Sequence, residues 1–255
     1  MILIISNIAN EAAATLAEMF PPGDAALITA SNFNTSFRAG IAVSDFTSSS
    51  FTVNNTAVSA GEITGVVTTI SNFFPQEFYY IQPGDREYVC AEMNAFFTYL
   101  LNELDCPKIN PPTVRSFAGL SLYKTEWINT AVALQIPVYP VCLKNGLQTV
   151  NEKISSASLY ACTMIAGLVV GEEPPGEIKH YTAALQMAFK MPYLQCFYIK
   201  TVENGWCLAD ILSVPDISKA LHREAIVDYY IKNSLHDTIM GHTGRRAYGD
   251  GVQRA

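Results

Sequence analysis

The chain has 255 residues, 49% of them hydrophobic and 15% charged, which is enough apolar material for one large or two modest cores and does not fit a disordered chain. Its formal net charge of -7 argues against a nucleic-acid partner, because neutralising phosphates needs a basic surface. No apolar run is long enough to span a bilayer and the start lacks the charged residues of a signal peptide, so a cytoplasmic protein with no membrane partner is expected.

The first third alternates strands and helices. Residues 2–6 read as a buried strand, 10–19 as a helix and 26–29 as a second strand, a spacing that favours a parallel sheet. Phe51-Thr52-Val53 and Thr56-Ala57-Val58 flank Asn54-Asn55, a hairpin signal with turn residues that tolerate positive φ. The β-branched run at 63–70 predicts a central strand. Val89, Met93, Phe96, Phe97, Leu100 and Leu104 then recur at the spacing of one apolar helix face. A short strand at 108–110 leads into Pro111-Pro112, and the segment 111–120 predicts a domain boundary.

Beyond it, 122–134 has a helical pattern. Residues 136–143 read as an edge strand marked by Pro137 and Pro140, and 159–170 as one long or two short strands. A helix puts Ile178, Tyr181, Leu185 and Ala188 on one face, and strands at 193–202 and 206–212 flank an Asn204-Gly205 turn. Asp216 is placed to cap a final helix to about residue 233. The expected domains are 1–115, an α/β unit with a Rossmann-like parallel sheet, then 116–235, an α+β unit with an antiparallel sheet, then a flexible polar tail, 236–255.

Six cysteines, Cys90, Cys106, Cys142, Cys162, Cys196 and Cys207, show no disulfide framework and read as free buried thiols. His180, His222, His236 and His242 have no metal-ligand spacing, and no G-x-G-x-x-G is present, so neither a zinc nor a dinucleotide site is expected.

Several segments resemble ATP-grasp ligases of the RimK-like, ribosomal-peptide-maturase type. The strand Ile2-Leu3-Ile4-Ile5-Ser6-Asn7 looks like the start of their pre-ATP-grasp domain, and Glu92-Met93-Asn94-Ala95-Phe96-Phe97 is similar to one of its helices. Ile109-Asn110-Pro111-Pro112 resembles the stretch that closes that domain. Tyr123-Lys124-Thr125-Glu126-Trp127 and Gln135-Ile136-Pro137-Val138-Tyr139-Pro140 stand where the family has a lysine-bearing helix and its next strand. The resemblance covers residues 1 to about 143 and implies a pre-ATP-grasp domain followed by a reduced ATP-grasp-like domain.

The rest departs from the family. Where working enzymes have a long nucleotide-binding subdomain, residues 144–158 hold Lys144 and Lys153 but one glycine, Gly146, and a loop over phosphates needs glycine to approach them. Asp210-Ile211-Leu212-Ser213-Val214-Pro215 resembles the family's last strand, in which a carboxylate and an Asn two residues on share one face and hold magnesium. Asp210 keeps the carboxylate, but Leu212 replaces the Asn.

The resemblance therefore implies a non-catalytic partner or scaffold in a peptide-modification or natural-product pathway. It would bind an intact ATP-grasp enzyme, a precursor peptide or another subunit, and would take no cofactor. The alternative is a carboxylate–amine ligase completed by a partner chain, in which Lys124, Lys144 or Lys153 contacts phosphates and Asp210 holds the metal of Mg-ATP. A small-molecule-binding protein or an unrelated α/β enzyme remains a third reading. Phe73, Phe74, Phe78, Tyr79 and Tyr80 lie in one predicted loop and are either a cover for the sheet edge or anchors for a partner. The loop Glu172-Glu173-Pro174-Pro175 is a second candidate contact.

Overall fold

The computed structural model describes residues 1–42, 45–54, 56–121, 123–139, 142–144, 147–149, 159–201 and 205–241; of 35, 142–144, 147–149 and 233–241 it describes the backbone. In chain order the elements are β1 (Ile2–Ile5), α1 (Glu11–Glu18), β2 (Ala25–Ile28), a single turn α2 (Asn32–Thr35), β3 (Phe37–Gly40), β4 (Ser50–Val53), β5 (Thr56–Ser59), β6 (Gly65–Thr68), α3 (Arg86–Glu103) and β7 (Lys108–Ile109). They continue as α4 (Lys124–Ala133), β8 (Cys142–Lys144), β9 (Leu147–Thr149), β10 (Leu159–Ile165), β11 (Leu168–Val170), α5 (Gly176–Phe189), β12 (Tyr193–Thr201), β13 (Gly205–Leu212) and α6 (Ala220–Gly241).

The strands β2-β1-β6-β7 form a parallel sheet in that order. Its two inner strands are buried along their whole length because both faces are covered. Leu3, Ile5 and Val66 face α3 and the small antiparallel sheet β3-β4-β5, in a core with Phe97, Leu100, Leu101 and Phe51. Ile2, Ile4 and Val67 face the other way, toward Leu16 of α1 and Ile226, Val227 and Tyr230 of α6.

The second sheet, β11-β10-β12-β13, is antiparallel throughout. One face carries Cys162, Met164, Leu194, Cys196, Tyr198 and Leu208, and is covered by Ile178 and Leu185 of α5 and by Trp127 and Ala131 of α4. The fold is thus a mixed α/β architecture with one parallel sheet and separate antiparallel ones.

The chain passes between the two large sheets through 111–120, yet their cores are continuous. Ile165 and Tyr193 of the antiparallel sheet pack into the same cluster as Ile2, Ile4 and Val67. Helix α6 seals this joint: the Tyr230 hydroxyl donates to the Val66 carbonyl, and Tyr230 packs so closely on Gly65 that a Cβ there would lie 2.3 Å from its ring.

Several expectations need correction. Strand β3 has no alternating apolar pattern, since only Phe37 is buried, and its place comes from pairing with β4. Of the strand expected at 136–143, residues 136–139 make a parallel bridge between Val138 and Leu208, 142–143 fall in β8, and 140–141 lie outside the described residues. Pro137 lacks an N–H, so only its carbonyl, accepting from Leu208 N–H at 2.7 Å, and the Tyr139 N–H, donating to Leu208 at 2.8 Å, can pair. Asp216 does not cap α6, which starts four residues later. Its carboxylate instead accepts from the Ser218 N–H and hydroxyl at 3.3 and 2.5 Å. Residues 236–241, expected in a loose tail, continue α6, and 242–255 lie outside the described residues.

The hairpin at 51–58 forms as expected, with Asn54 at φ 50°. Cys90, Cys106, Cys162, Cys196 and Cys207 are free thiols; the side chain of Cys142 lies outside the described atoms. Burial pushes the thiols of Cys90, Cys106, Cys162 and Cys196 above their ordinary value, which keeps them protonated and unreactive. Among the described residues no helix is long and apolar enough to cross a membrane.

Candidate functional site

Directly paired residues of an antiparallel sheet lie on the same face. The register therefore sets Thr163, Gln195 and Leu212 in one row across β10, β12 and β13, and Ala161, Phe197 and Asp210 in the next. This is the face opposite to the one that α4 and α5 cover. Gln195 is buried and its amide donates to the Thr163 hydroxyl at 3.0 Å, while Asp210 is exposed and accepts from the Ile211 N–H at 2.9 Å.

Asp210 thus stands on the face opposite α4 and α5, with Leu212 beside it along the strand. Magnesium takes six oxygen ligands, and at nucleotide sites one or two of them are carboxylates, beside phosphate oxygens and waters. Leucine offers none, and among the described residues no group of three His, Cys, Asp or Glu side chains could hold a metal ion.

The structure describes the side chain of one of the three candidate lysines. Lys124 is the first residue of α4, whose Trp127 and Ala131 pack on the other face of the sheet. Lys144 ends β8 in the hairpin with β9, its side chain outside the described atoms, and Lys153 lies outside the described residues altogether.

The aromatic segment divides. Phe73 and Phe78 are 2% and 0% exposed, which removes them from any partner-facing set. Phe73 makes ring contacts with Phe33, Phe97 and Phe117 at centroid distances of 5.2, 5.4 and 5.4 Å, so it belongs to the core under the parallel sheet. Tyr80 is half-buried and donates to the Ala30 carbonyl at 2.8 Å; burial pushes its phenol up. Phe74 and Tyr79 remain, each 59% exposed. Their loop is held by Arg86, which donates to the Tyr79 and Ile81 carbonyls, both at 2.9 Å, and by Glu77, which accepts from the Phe74 N–H at 2.8 Å.

Sequence reasoning missed an apolar cleft of about 280 Å³ between the β10–β11 hairpin and α6. Ile165, Leu168, Val169, Val170, Ala225 and Tyr229 line it, with the ion pair Asp228–Lys232, 3.6 Å apart, at its rim. The available signal was Ala225 and Tyr229 at i, i+4, a spacing that puts both on one helix face. In the loop that follows β11, Glu172 and Glu173 are both exposed, and Glu173 accepts from Lys179 at 2.6 Å.

No protein-family model matches the sequence, and no curated protein matches it. Solved structures match it in fold. The macrocyclase MdnC from Microcystis aeruginosa MRC, bound with precursor peptide MdnA, aligns with a TM-score of 0.67 at 11% identity over 89% of this chain and 98% of its own. A RiPP-associated ATP-grasp ligase of Chryseobacterium gregarium, in complex with ADP and a leader and core peptide, aligns with a TM-score of 0.63 at 12% identity, over 97% of this chain and 98% of its own. D-alanine-D-alanine ligase from Aeromonas hydrophila aligns at 0.52 and 12% identity, over 90% and 94%. The chain has an ATP-grasp-like fold. At such identities the likeness shows the fold alone, and function has to be argued from the site.

Proposed function

We propose that this chain is a non-catalytic ATP-grasp-like partner or scaffold of a peptide-modification pathway in the cytoplasm, binding a precursor peptide or another protein and not Mg-ATP. The observation that carries this reading is Leu212, which lies two residues beyond Asp210 and opposite Gln195, where a metal site would need oxygen. The exposed pair Phe74 and Tyr79 supports a protein or peptide contact, since aromatic side chains dominate binding energy at interfaces. The peptides in the structures of MdnC and of the Chryseobacterium gregarium ligase support the same class of partner.

The test is ADP release with a candidate precursor peptide and an intact ATP-grasp ligase. The reading expects no release from this chain plus peptide, and release with the intact ligase that Asp210→Asn in this chain leaves unchanged. Release by this chain plus peptide, abolished by Asp210→Asn, would sink it.

A second reading, a carboxylate–amine ligase completed by a partner chain, draws on the ADP in the Chryseobacterium gregarium structure and on the carboxylate of Asp210. In that case Lys124, Lys144 or Lys153 serves the phosphates. ADP release would then appear only with the partner and would be lost in Asp210→Asn.

A further inference from the structure

A β-bulge in β13 decides which way Asp210 faces. Phe197 pairs with Asp210 and Tyr198 with Leu208, so Ala209 is an extra residue that stands outside the pairing. Without it Asp210 would lie opposite Cys196, on the face that α4 and α5 cover, where an unpaired carboxylate is costly. With it Asp210 turns to the open face beside Phe197, and Ile211 packs toward the covered core instead.

The neighbours of that carboxylate are apolar. Phe197, partly exposed, is paired directly with it, which sets their Cβ atoms about 5 Å apart. Ala161 is exposed at the other end of the same row, and Leu212 is exposed two residues further along β13. Asp210 accepts one hydrogen bond, from the Ile211 N–H, and among the described residues no lysine or arginine pairs with it. A carboxylate offers about four acceptor positions, so most of its capacity stays open.

We propose that Asp210, Phe197 and Leu212 form a docking point for an arginine side chain of the peptide or protein that this chain binds. The inference rests on the reading of the chain as a binding partner and adds the chemistry that its open sheet face takes. A guanidinium uses all three side chains at once. Its fork of N–H groups donates to both carboxylate oxygens, and its plane stacks on the phenyl face of Phe197. The methylene stem of the arginine then covers apolar surface at Leu212. A lysine ammonium is compact and strongly hydrated, and it has no fork to match the carboxylate. The net charge of -7 also favours the approach of a cationic partner.

The experiment is an NMR titration of the full chain with acetyl-Leu-Arg-Leu-amide, following the backbone amides of Ala161, Phe197, Asp210 and Leu212. The same peptide with citrulline in place of arginine keeps the shape and the N–H donors but carries no charge. The arginine peptide should give saturable shifts at these positions. Citrulline should weaken binding about fivefold or more, because it loses both the ion pair and the cation–π contact. No saturable shifts there, or equal affinity for the two peptides, would overturn the docking point without recourse to any variant. Asp210→Asn, a change at an exposed side chain, should bring the arginine peptide down to the citrulline level, and unchanged affinity in that variant would overturn the proposal equally. Magnesium ATP, added to a separate sample, tests the underlying reading by itself. Nucleotide binding contradicts that reading whatever the peptides do, whereas failure of the arginine peptide without nucleotide binding contradicts the docking point alone.

Discussion

The side chain of Asn110 accepts the backbone N–H of Tyr193 at 2.7 Å and donates to the Tyr193 carbonyl at 2.9 Å, so that one carboxamide occupies both main-chain groups of a strand residue 83 positions away. The same amide nitrogen donates to the Ser213 carbonyl at 2.7 Å, just past the end of β13. Asn110 follows β7 at the edge of the parallel sheet, so its side chain ties that sheet to both β12 and β13. Gly119 is required alongside it: at φ 95° it holds a left-handed backbone, and a Cβ there would lie 2.7 Å from the Cβ of Asn110.

Replacing Asn110 by Ala should therefore cost more than a surface hydrogen bond. Two buried main-chain groups and one partly buried carbonyl lose their partner, and each unsatisfied buried group costs about 1–3 kcal/mol before relaxation. A loss of about 3 kcal/mol or more is expected in urea unfolding followed by circular dichroism.

Gly65→Ala should be destabilising by about 2–3 kcal/mol, the cost typical of overpacking a filled core, because its methyl group would meet the ring of Tyr230. Tyr230→Ala removes the obstacle, so the double variant should be more stable than the sum of the two single losses. Additive losses in a denaturation cycle would contradict the contact.

The aromatic segment gives a contrast within six residues. Phe78→Ala should cost about 3–5 kcal/mol as a fully buried ring, whereas Phe74→Ala and Tyr79→Ala should stay within about 0.5 kcal/mol. If this loop meets a partner, the latter two variants should weaken binding at unchanged thermal stability, read by calorimetry or interferometry with the candidate peptide.

Leu212→Asn restores an amide two residues beyond Asp210. The side chain is 43% exposed, so the fold should tolerate the change. One carboxylate and one amide hold a hard cation weakly when no phosphate completes the shell, so Mn2+ relaxation measurements without nucleotide should find no site tighter than millimolar in the variant.

Much of the scaffold was legible in the sequence, because apolar periodicity reports burial directly. The run at 63–70 marked an inner strand of the parallel sheet, and the i, i+4, i+7 pattern from Val89 marked α3. Elements made by tertiary pairing were not legible. Strand β3 shows one buried residue in four, and the single bridge at 136–139 depends on where Val138 meets Leu208. The candidate site was legible in part. The spacing of Asp210 and Leu212 put both on one face, and the register confirms that placement. The exposure of Phe74 and Tyr79 against the burial of Phe73 and Phe78 was not, since four aromatic residues in a loop carry no periodicity that sorts them.

The central claim, that this chain does not bind nucleotide by itself, is tested most directly by isothermal calorimetry of the purified protein with ATP and excess magnesium. The account predicts no saturable heat at any concentration that would matter in a cell. Binding at micromolar affinity, lost in Asp210→Asn, would contradict it.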